Sequence, residues 1–294
     1  DRGSPLSFTL SVLDIPGATV ETFHPKAVHL YGNTLYVAND APGHYSLEVF
    51  DVSSGNVRHV KSMVEWMNGD KKETFAGEPN GVTRSYGKIY VTNTGSRTDV
   101  FDAETYEFIT CIGTGTWGEG GYQTVHAFDV TASQGAVFIR DKRKLVVVLE
   151  QDVQPGSAAR VPIYSRSVNL QEAMGTYAVA ARNDGFLYVT AQNKNMIYLF
   201  DPADIRAGDT GFAPYLVTLG FEKSPQSIAF VGDRLFVTLR VDDKRSELWE
   251  ISPKNGKLLQ DFTDSMVYPE KIAGARHTLL VVDRATQTVK AIGL

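Results

Sequence analysis

The chain has 294 residues, of which 43% are hydrophobic and 21% charged, and its formal net charge is −5 at pH 7. This composition is typical of a globular protein with a full core. The basic residues are scattered, which excludes the concentrated positive surface of a nucleic-acid-binding protein. No run of 18 apolar residues occurs, so the sequence predicts no transmembrane segment.

Two features of the sequence bear on where the protein is located: its first residues and its single cysteine. Residues 1–6 begin with polar residue types, and we expect them to form a flexible N-terminal segment. The whole chain, 1–294, is expected to form one domain. The lone Cys111 excludes an intrachain disulfide and is expected to be a small buried hydrophobic residue, with a nucleophile as the alternative. The cysteine usage fits the cytoplasm or a secreted protein without disulfides. The polar start would suit a tether after a processed lipoprotein signal, so we expect an exported protein, either periplasmic or a cell-surface lipoprotein.

A short apolar phrase recurs about every 50 residues along the chain. Its six copies begin at Leu35, Ile89, Val137, Leu187, Leu235 and Leu279. Turn residues such as Gly, Asn and Asp precede each copy, and further short strand patterns surround it, so that a repeat contains four strands. A meander of four strands is one propeller blade. The sequence therefore predicts an all-β fold, a six-bladed β-propeller with four antiparallel strands per blade.

The two ends of the chain complement each other in this fold. The last repeat stops at Leu294 before a fourth strand, and the apolar segment 8–13 has no partner in the first repeat. Pairing the N-terminal strand with the last repeat would complete the blade and remove an exposed strand edge. We therefore expect the N-terminal strand to close blade six.

Two phrases of the second repeat carry a resemblance to known families. The segments 79–82 (Pro-Asn-Gly-Val) and 89–93 (Ile-Tyr-Val-Thr-Asn) resemble NHL-type and YVTN-type propeller repeats, over nearly the whole chain. The first phrase is also similar to one in the gluconolactonase/SMP-30 family of six-bladed, calcium-dependent lactonases, and that resemblance implies a metal-ligand role for Asn80. The first repeat has Lys26 where that family needs a glutamate, so calcium is disfavoured and no cofactor or metal is expected.

The residues that begin the innermost strands should surround the mouth of the central channel. Aligning the turns before these strands places six residues there: Lys26, Asn80, His126, Tyr177, Gln226 and Glu270. Such a ring predicts a site for a small polar ligand, a sugar or an organic acid, although a water-filled mouth would also be polar. Lys26 and Glu270 belong to adjacent blades and are expected to pair or to hold a substrate. His126 is a candidate acid/base because histidine titrates near neutrality.

Two long connections supply aromatic residues on the same face. They contain Trp66, Trp117 and Tyr122, which are candidates for stacking on a sugar or anchoring a protein partner. The alternative is that these side chains pack the connections onto the blades.

Three functions are compatible with this pattern. The leading interpretation is an exported or surface-tethered binder of a small polar ligand or partner. The second is a hydrolase or lyase acting on a sugar or lactone, with His126 as acid/base and Glu270, Lys26 and Tyr177 orienting the substrate. The third is a protein-interaction scaffold that uses Trp66 and Trp117. Whether the protein is an enzyme stays open, nucleic acid is not expected as a partner, and a monomer is expected.

Overall fold

The computed structural model of the protein describes residues 3–53, 55–114, 124, 126–142, 145–156, 178–206, 217–264 and 266–294. Strands dominate these residues, as the period-2 patterns predict. The first half of the chain contains β1 (Phe8–Leu10), β2 (Pro25–Tyr31), β3 (Thr34–Asn39), β4 (Ser46–Asp51), β5 (Arg58–Met63), β6 (Glu65–Asn68), β7 (Lys71–Thr74), β8 (Pro79–Ser85), β9 (Lys88–Asn93), β10 (Arg97–Asp102), β11 (Phe108–Ile112), β12 (Ala127–Ser133), β13 (Ala136–Asp141) and β14 (Leu145–Leu149).

The second half follows the same order of short strands. It contains β15 (Val179–Ala181), β16 (Leu187–Ala191), β17 (Met196–Phe200), β18 (Val217–Gly220), β19 (Ser224–Val231), β20 (Arg234–Arg240), β21 (Ser246–Ile251), β22 (Leu258–Asp261), β23 (Pro269–Ala275), β24 (Thr278–Asp283) and β25 (Thr288–Gly293). The one described α-helix is α1 (Pro202–Arg206), and short 3-10 helices cover Val12–Asp14, Glu150–Asp152 and Gln192–Lys194. Among the described residues, no helix is long and apolar enough to cross a bilayer.

The strands form six antiparallel sheets arranged as blades, which confirms the predicted fold class. From the channel outward, blades one, two, four and five are β2 to β5, β8 to β11, β15 to β18 and β19 to β22. Blade three has three strands in the part of the chain that the structure describes, β12 to β14. The hairpin of β6 and β7 is inserted between blades one and two.

Blade six contains both ends of the chain, as predicted. Its strands are β23, β24 and β25, and β1 pairs antiparallel with β25, with Phe8 opposite Ala291 and Leu10 opposite Val289. Leu10 is fully buried. Within the segment expected to be flexible, Leu6 is also buried, and its amide donates to Thr278 Oγ1 at 2.8 Å. The N-terminal segment therefore holds the ring closed.

The core lies between neighbouring blades, in six apolar clusters. The recurring phrase supplies its centre, because alternate residues of that strand face the two adjacent blades. The second residue of the phrase is fully buried in every blade: Tyr36, Tyr90, Phe138, Tyr188, Phe236 and Leu280. The phrase that recurs in the sequence thus forms the centre of the core in every blade. The innermost strand of each blade lines the channel.

Candidate ligand-binding site

Five of the inner strands begin with a β-bulge. In β2, for example, Pro25 pairs with Asn39 and Ala27 with Ala38, so that Lys26 has no residue opposite it. A bulge turns the extra side chain away from the sheet. We call these the mouth positions, and they are Lys26, Asn80, Phe128, Gln226 and Glu270.

Blade three corrects one predicted site residue. Ala127 pairs with Asp141 as Pro25 pairs with Asn39, so the mouth position is Phe128 and not His126. His126 lies two residues earlier, where its backbone N–H donates to Asp141 Oδ1 at 3.4 Å. The predicted placement of His126 in the ring was therefore wrong, because blade three, like blade four, lacks the proline on which the turns of the other four blades align.

The mouth positions line a cavity of about 310 Å³ at one end of the channel. All six blades contribute to its wall, which consists of Lys26, Glu78, Asn80, Thr94, Phe128, Gln192, Gln226, Ser227, Arg240, Tyr268, Glu270 and Lys271. This volume is at the lower end of those found for small-molecule sites. Sequence reasoning missed Phe128, Arg240 and Lys271, and it placed Lys26, Asn80, Gln226 and Glu270 correctly on this wall.

Lys26 and Glu270 form an ion pair that joins blades one and six, as expected for adjacent blades. Burial alone would raise the pKa of the Glu270 carboxyl, but Lys26, Arg284 and Lys271 outweigh it and hold that pKa below its ordinary value. Arg284 is itself fixed by donating to the carbonyl oxygen of Pro25 at 2.7 Å and to Asp40. Glu270 is therefore a carboxylate at neutral pH, suited to accepting hydrogen bonds.

Asn80 is engaged within the fold. Its Nδ2 donates to the carbonyl oxygen of Ala127 at 2.8 Å, and its Oδ1 accepts from Thr92 Oγ1 at 2.9 Å, so the amide joins blades two and three. The described residues include no group of three or more His, Cys, Asp or Glu side chains placed to hold a metal. The metal-ligand role implied by the lactonase resemblance has no support in this geometry.

The residues one step deeper than the mouth positions form a layer that we call the floor, of which Ser227 and Lys271 line the cavity. The floor residues are Ala27, Gly81, Asp129, Ala178, Ser227 and Lys271. Lys271 Nζ lies 3.4 Å from Asp129 Oδ1 and donates to the carbonyl oxygen of Phe128 at 2.8 Å. Blades three and six are opposite each other in a ring of six, so this ion pair crosses the channel.

Small residues make room for that bridge. At Gly81, an added Cβ would lie 2.9 Å from Asp129 Cα, closer than real side chains come. The environment also disfavours the charged form of both partners, because burial raises the pKa of Asp129 and lowers the pKa of Lys271, against their mutual attraction. Both groups therefore lie closer to their neutral forms than they would in water.

A second cavity of about 190 Å³ lies on the other side of the bridge, lined by all six inner strands. His29 lines it beside Arg84. Burial, followed by the charge of Arg84, lowers the pKa of His29 to about 4. The imidazole is therefore neutral in the folded protein at neutral pH.

We predict that His29 makes the protein less stable in acid. The unfolded chain binds a proton at His29 below about pH 6.5, whereas the folded chain binds it only near pH 4. The free energy of unfolding should therefore fall as the pH drops from 6.5 to 4, by up to about 3 kcal/mol from this residue. Urea unfolding at several pH values should show that the free energy of unfolding falls less in acid for His29→Gln than for the parent protein.

Asp99 makes the comparison of the two proteins necessary. Burial raises the pKa of Asp99 to about 6, so this residue titrates in the opposite sense, and only the difference between parent and variant tests His29. Parallel profiles would contradict the prediction.

The aromatic candidates do not form an exposed platform in the described structure. Trp66 is buried in the β6–β7 hairpin, with its ring centroid 4.8 Å from that of Phe75 and 4.9 Å from that of Phe101. Its predicted ligand-binding role is corrected to packing of the hairpin onto blade two. Trp117, Tyr122 and Tyr177 lie outside the described residues.

Cys111 behaves as the small buried hydrophobic residue that the sequence predicts. It lies in β11, the outer strand of blade two, away from the mouth cavity. Burial raises the pKa of its thiol to about 12, so the reactive thiolate is not formed at neutral pH.

Comparison with known proteins shows the fold alone. No family model and no curated protein matches the chain, so membership of the NHL, YVTN or gluconolactonase families is not confirmed. Among solved structures, selenomethionine-substituted virginiamycin B lyase from Staphylococcus aureus aligns with a TM-score of 0.62 and 13% identity, over 98% of this chain and 99% of the lyase.

Two further structures align over similar lengths. A catalytically inactive form of the same Staphylococcus aureus lyase with quinupristin has a TM-score of 0.61 and 12% identity, covering 98% of this chain and 99% of that one. The Cps50 (Swd1) β-propeller domain of Myceliophteria thermophila has a TM-score of 0.59 and 11% identity, covering 95% and 99%. One fold thus serves unrelated functions. This chain shares with these neighbours the β-propeller fold.

Proposed function

We propose that the protein binds a small organic acid in the mouth cavity. The observation that carries this proposal is a polar cavity of about 310 Å³ whose wall contains three basic side chains, Lys26, Arg240 and Lys271. Two carboxylates, Glu78 and Glu270, share that wall. The basic excess favours a ligand with a negative charge.

Arg240 is the group most ready to receive a carboxylate. Lys26 and Lys271 have partners inside the channel, whereas Arg240 pairs with Asp243, whose side chain is 87% exposed. An exposed ion pair contributes little free energy, so exchanging Asp243 for a ligand carboxylate costs little. Arginine also binds carboxylates through two parallel hydrogen bonds, which would orient the ligand.

A sugar is a less favourable ligand for this wall. Sugars are commonly held by stacking on exposed aromatic rings, and the described wall offers only Phe128 and Tyr268. The hydrolase or lyase alternative has less support, since His126 does not line the described wall, although its ring centroid lies 6.1 Å from that of Phe128, which does. The scaffold alternative is weakened in the same way by the burial of Trp66. Export or surface tethering stays a prediction, supported by the polar N-terminal residues.

Isothermal titration calorimetry with hydroxy acids, each beside its neutral amide, tests the proposal. We expect the acids to bind and the amides to bind far more weakly, with Arg240→Gln weakening the acids about 10- to 100-fold because a charge-assisted hydrogen bond is lost. Lys254→Gln, in an exposed turn of blade five, is the matched control and should bind like the parent.

Three results would contradict the proposal. They are equal binding of acids and amides, binding of neutral sugars in place of acids, and no heat from any compound. Acid binding that Arg240→Gln leaves unchanged would locate the site elsewhere. His126→Ala should leave binding unaltered, and a loss there would return that residue to the site.

A further inference from the structure

We propose that Lys271 captures the carbonyl group of an oxo acid as a Schiff base, with Asp129 moving the proton. This inference rests on the proposed function, since the ligand carboxylate would sit at Arg240 on the rim while its carbonyl group points to the floor. It adds a covalent step and a narrower ligand class, acids that carry an aldehyde or ketone.

The position of Lys271 supports this chemistry. It lines the ligand cavity, its side chain is only 6% exposed, and its amine donates to the carbonyl oxygen of Phe128, another residue of the cavity wall. A lysine becomes a nucleophile when it is desolvated or lies near another cation. Both conditions hold here, because burial and then the nearby charge of Lys26 lower the pKa of Lys271.

Asp129 is placed to exchange the proton. Its Oδ1 is 3.4 Å from Lys271 Nζ, and its Oδ2 accepts from the amide of Val179 at 3.0 Å, which fixes the carboxyl group against blade four. Because burial raises the pKa of Asp129, the carboxyl can take a proton from the ammonium and return it. Glu270, by contrast, is held as a carboxylate by Lys26 and is not needed for this transfer.

The step balances without an added oxidant or reductant. Asp129 takes one proton from the Lys271 ammonium, and the neutral amine adds to the carbonyl carbon to form a C–N bond. A nitrogen-bound proton passes to the former carbonyl oxygen, giving a hydroxyl group. Asp129 returns its proton to that hydroxyl, the C–O bond breaks and water leaves. Asp129 is again a carboxylate, and Lys271 is joined to the ligand as an iminium.

Reductive trapping tests the proposal on the unmodified protein. The chain is incubated with glyoxylate and cyanoborohydride at pH 7, and the alkylated lysines are located by peptide mass spectrometry. We expect Lys271 to be labelled several-fold faster than the exposed Lys254, because burial lowers the pKa of the Lys271 amine and the ligand site holds the acid beside it. Excess glycolate, which has no aldehyde or ketone group, should compete. Asp129→Asn should slow the labelling while calorimetry still detects glycolate.

The outcomes separate this inference from the proposed function. Label on exposed lysines with none on Lys271 overturns the Schiff base, and if glycolate still binds by calorimetry the acid-binding function stands. Absence of both label and glycolate binding overturns both. Label on Lys271 that glycolate fails to reduce would show reaction outside the ligand site and also overturn the inference. The double variant Lys271→Met/Asp129→Asn, which leaves no unpaired buried charge, should keep the circular dichroism spectrum of the parent and lose the fast label.

Discussion

Deleting residues 1–10 should unfold or severely destabilise the protein. The deletion removes β1, the fourth strand of blade six, together with the buried side chains of Leu6 and Leu10. Each lost leucine costs about 2–5 kcal/mol, and the whole domain is stabilised by only about 5–15 kcal/mol. The deletion also exposes the edge of β25, which invites pairing between molecules. Circular dichroism during urea unfolding and size-exclusion chromatography should show a large loss of stability and aggregation.

Point variants make the same test without shortening the chain. Leu10 is fully buried and Leu13 is 92% exposed, three residues apart in the same segment. Leu10→Ala should lower the free energy of unfolding by about 3 kcal/mol, and Leu13→Ala by less than about 0.5 kcal/mol. Equal effects of the two substitutions, or a deletion variant as stable as the parent, would show that β1 does not close the ring.

The closure by β1 was predictable because it depends on local patterns and on counting strands. The recurring phrase marks the second strand of every blade, and a blade without a fourth strand needs a partner from elsewhere. The same regularity fixes the mouth positions: Lys26 precedes Leu35 by nine residues, and Phe128 precedes Val137 by nine. Counting nine residues back from the phrase would have avoided the error at His126, although blade four has a hairpin one residue longer and needs a count of ten.

The floor of the cavity could not be predicted in this way. Asp129 and Lys271 are 142 residues apart in sequence, and each occupies a position where the other blades have small residues. Their pairing arises because the closed ring places blades three and six opposite each other. No local sequence pattern predicts that arrangement. The engagement of Asn80 by Thr92 and Ala127 is equally a product of the packing between neighbouring blades.

Breaking the bridge from one side should be the most damaging single substitution in the channel. Lys271→Met leaves the Asp129 carboxyl in the channel without the ammonium that it faces, and removing one member of a buried ion pair costs about 3–5 kcal/mol. The double variant Lys271→Met/Asp129→Asn removes both charges, and should regain most of that stability. Urea unfolding of the two single variants and the double variant gives the coupling free energy directly.

The ion pair of Lys26 and Glu270 at the mouth supplies the matched control for this double-mutant cycle. Lys26 and Glu270 also join two blades, but Glu270 has two further positive charges nearby, Arg284 and Lys271, whereas Asp129 faces Lys271 alone. The carboxylate that remains in Lys26→Met therefore keeps favourable charges around it, and the substitution should cost only about 1 kcal/mol. If Lys271→Met proves as mild as Lys26→Met, or if the double variant is no more stable than Lys271→Met alone, the bridge is not a coupled buried pair. In that case the proton exchange with Asp129, on which carbonyl capture depends, would lose its physical basis.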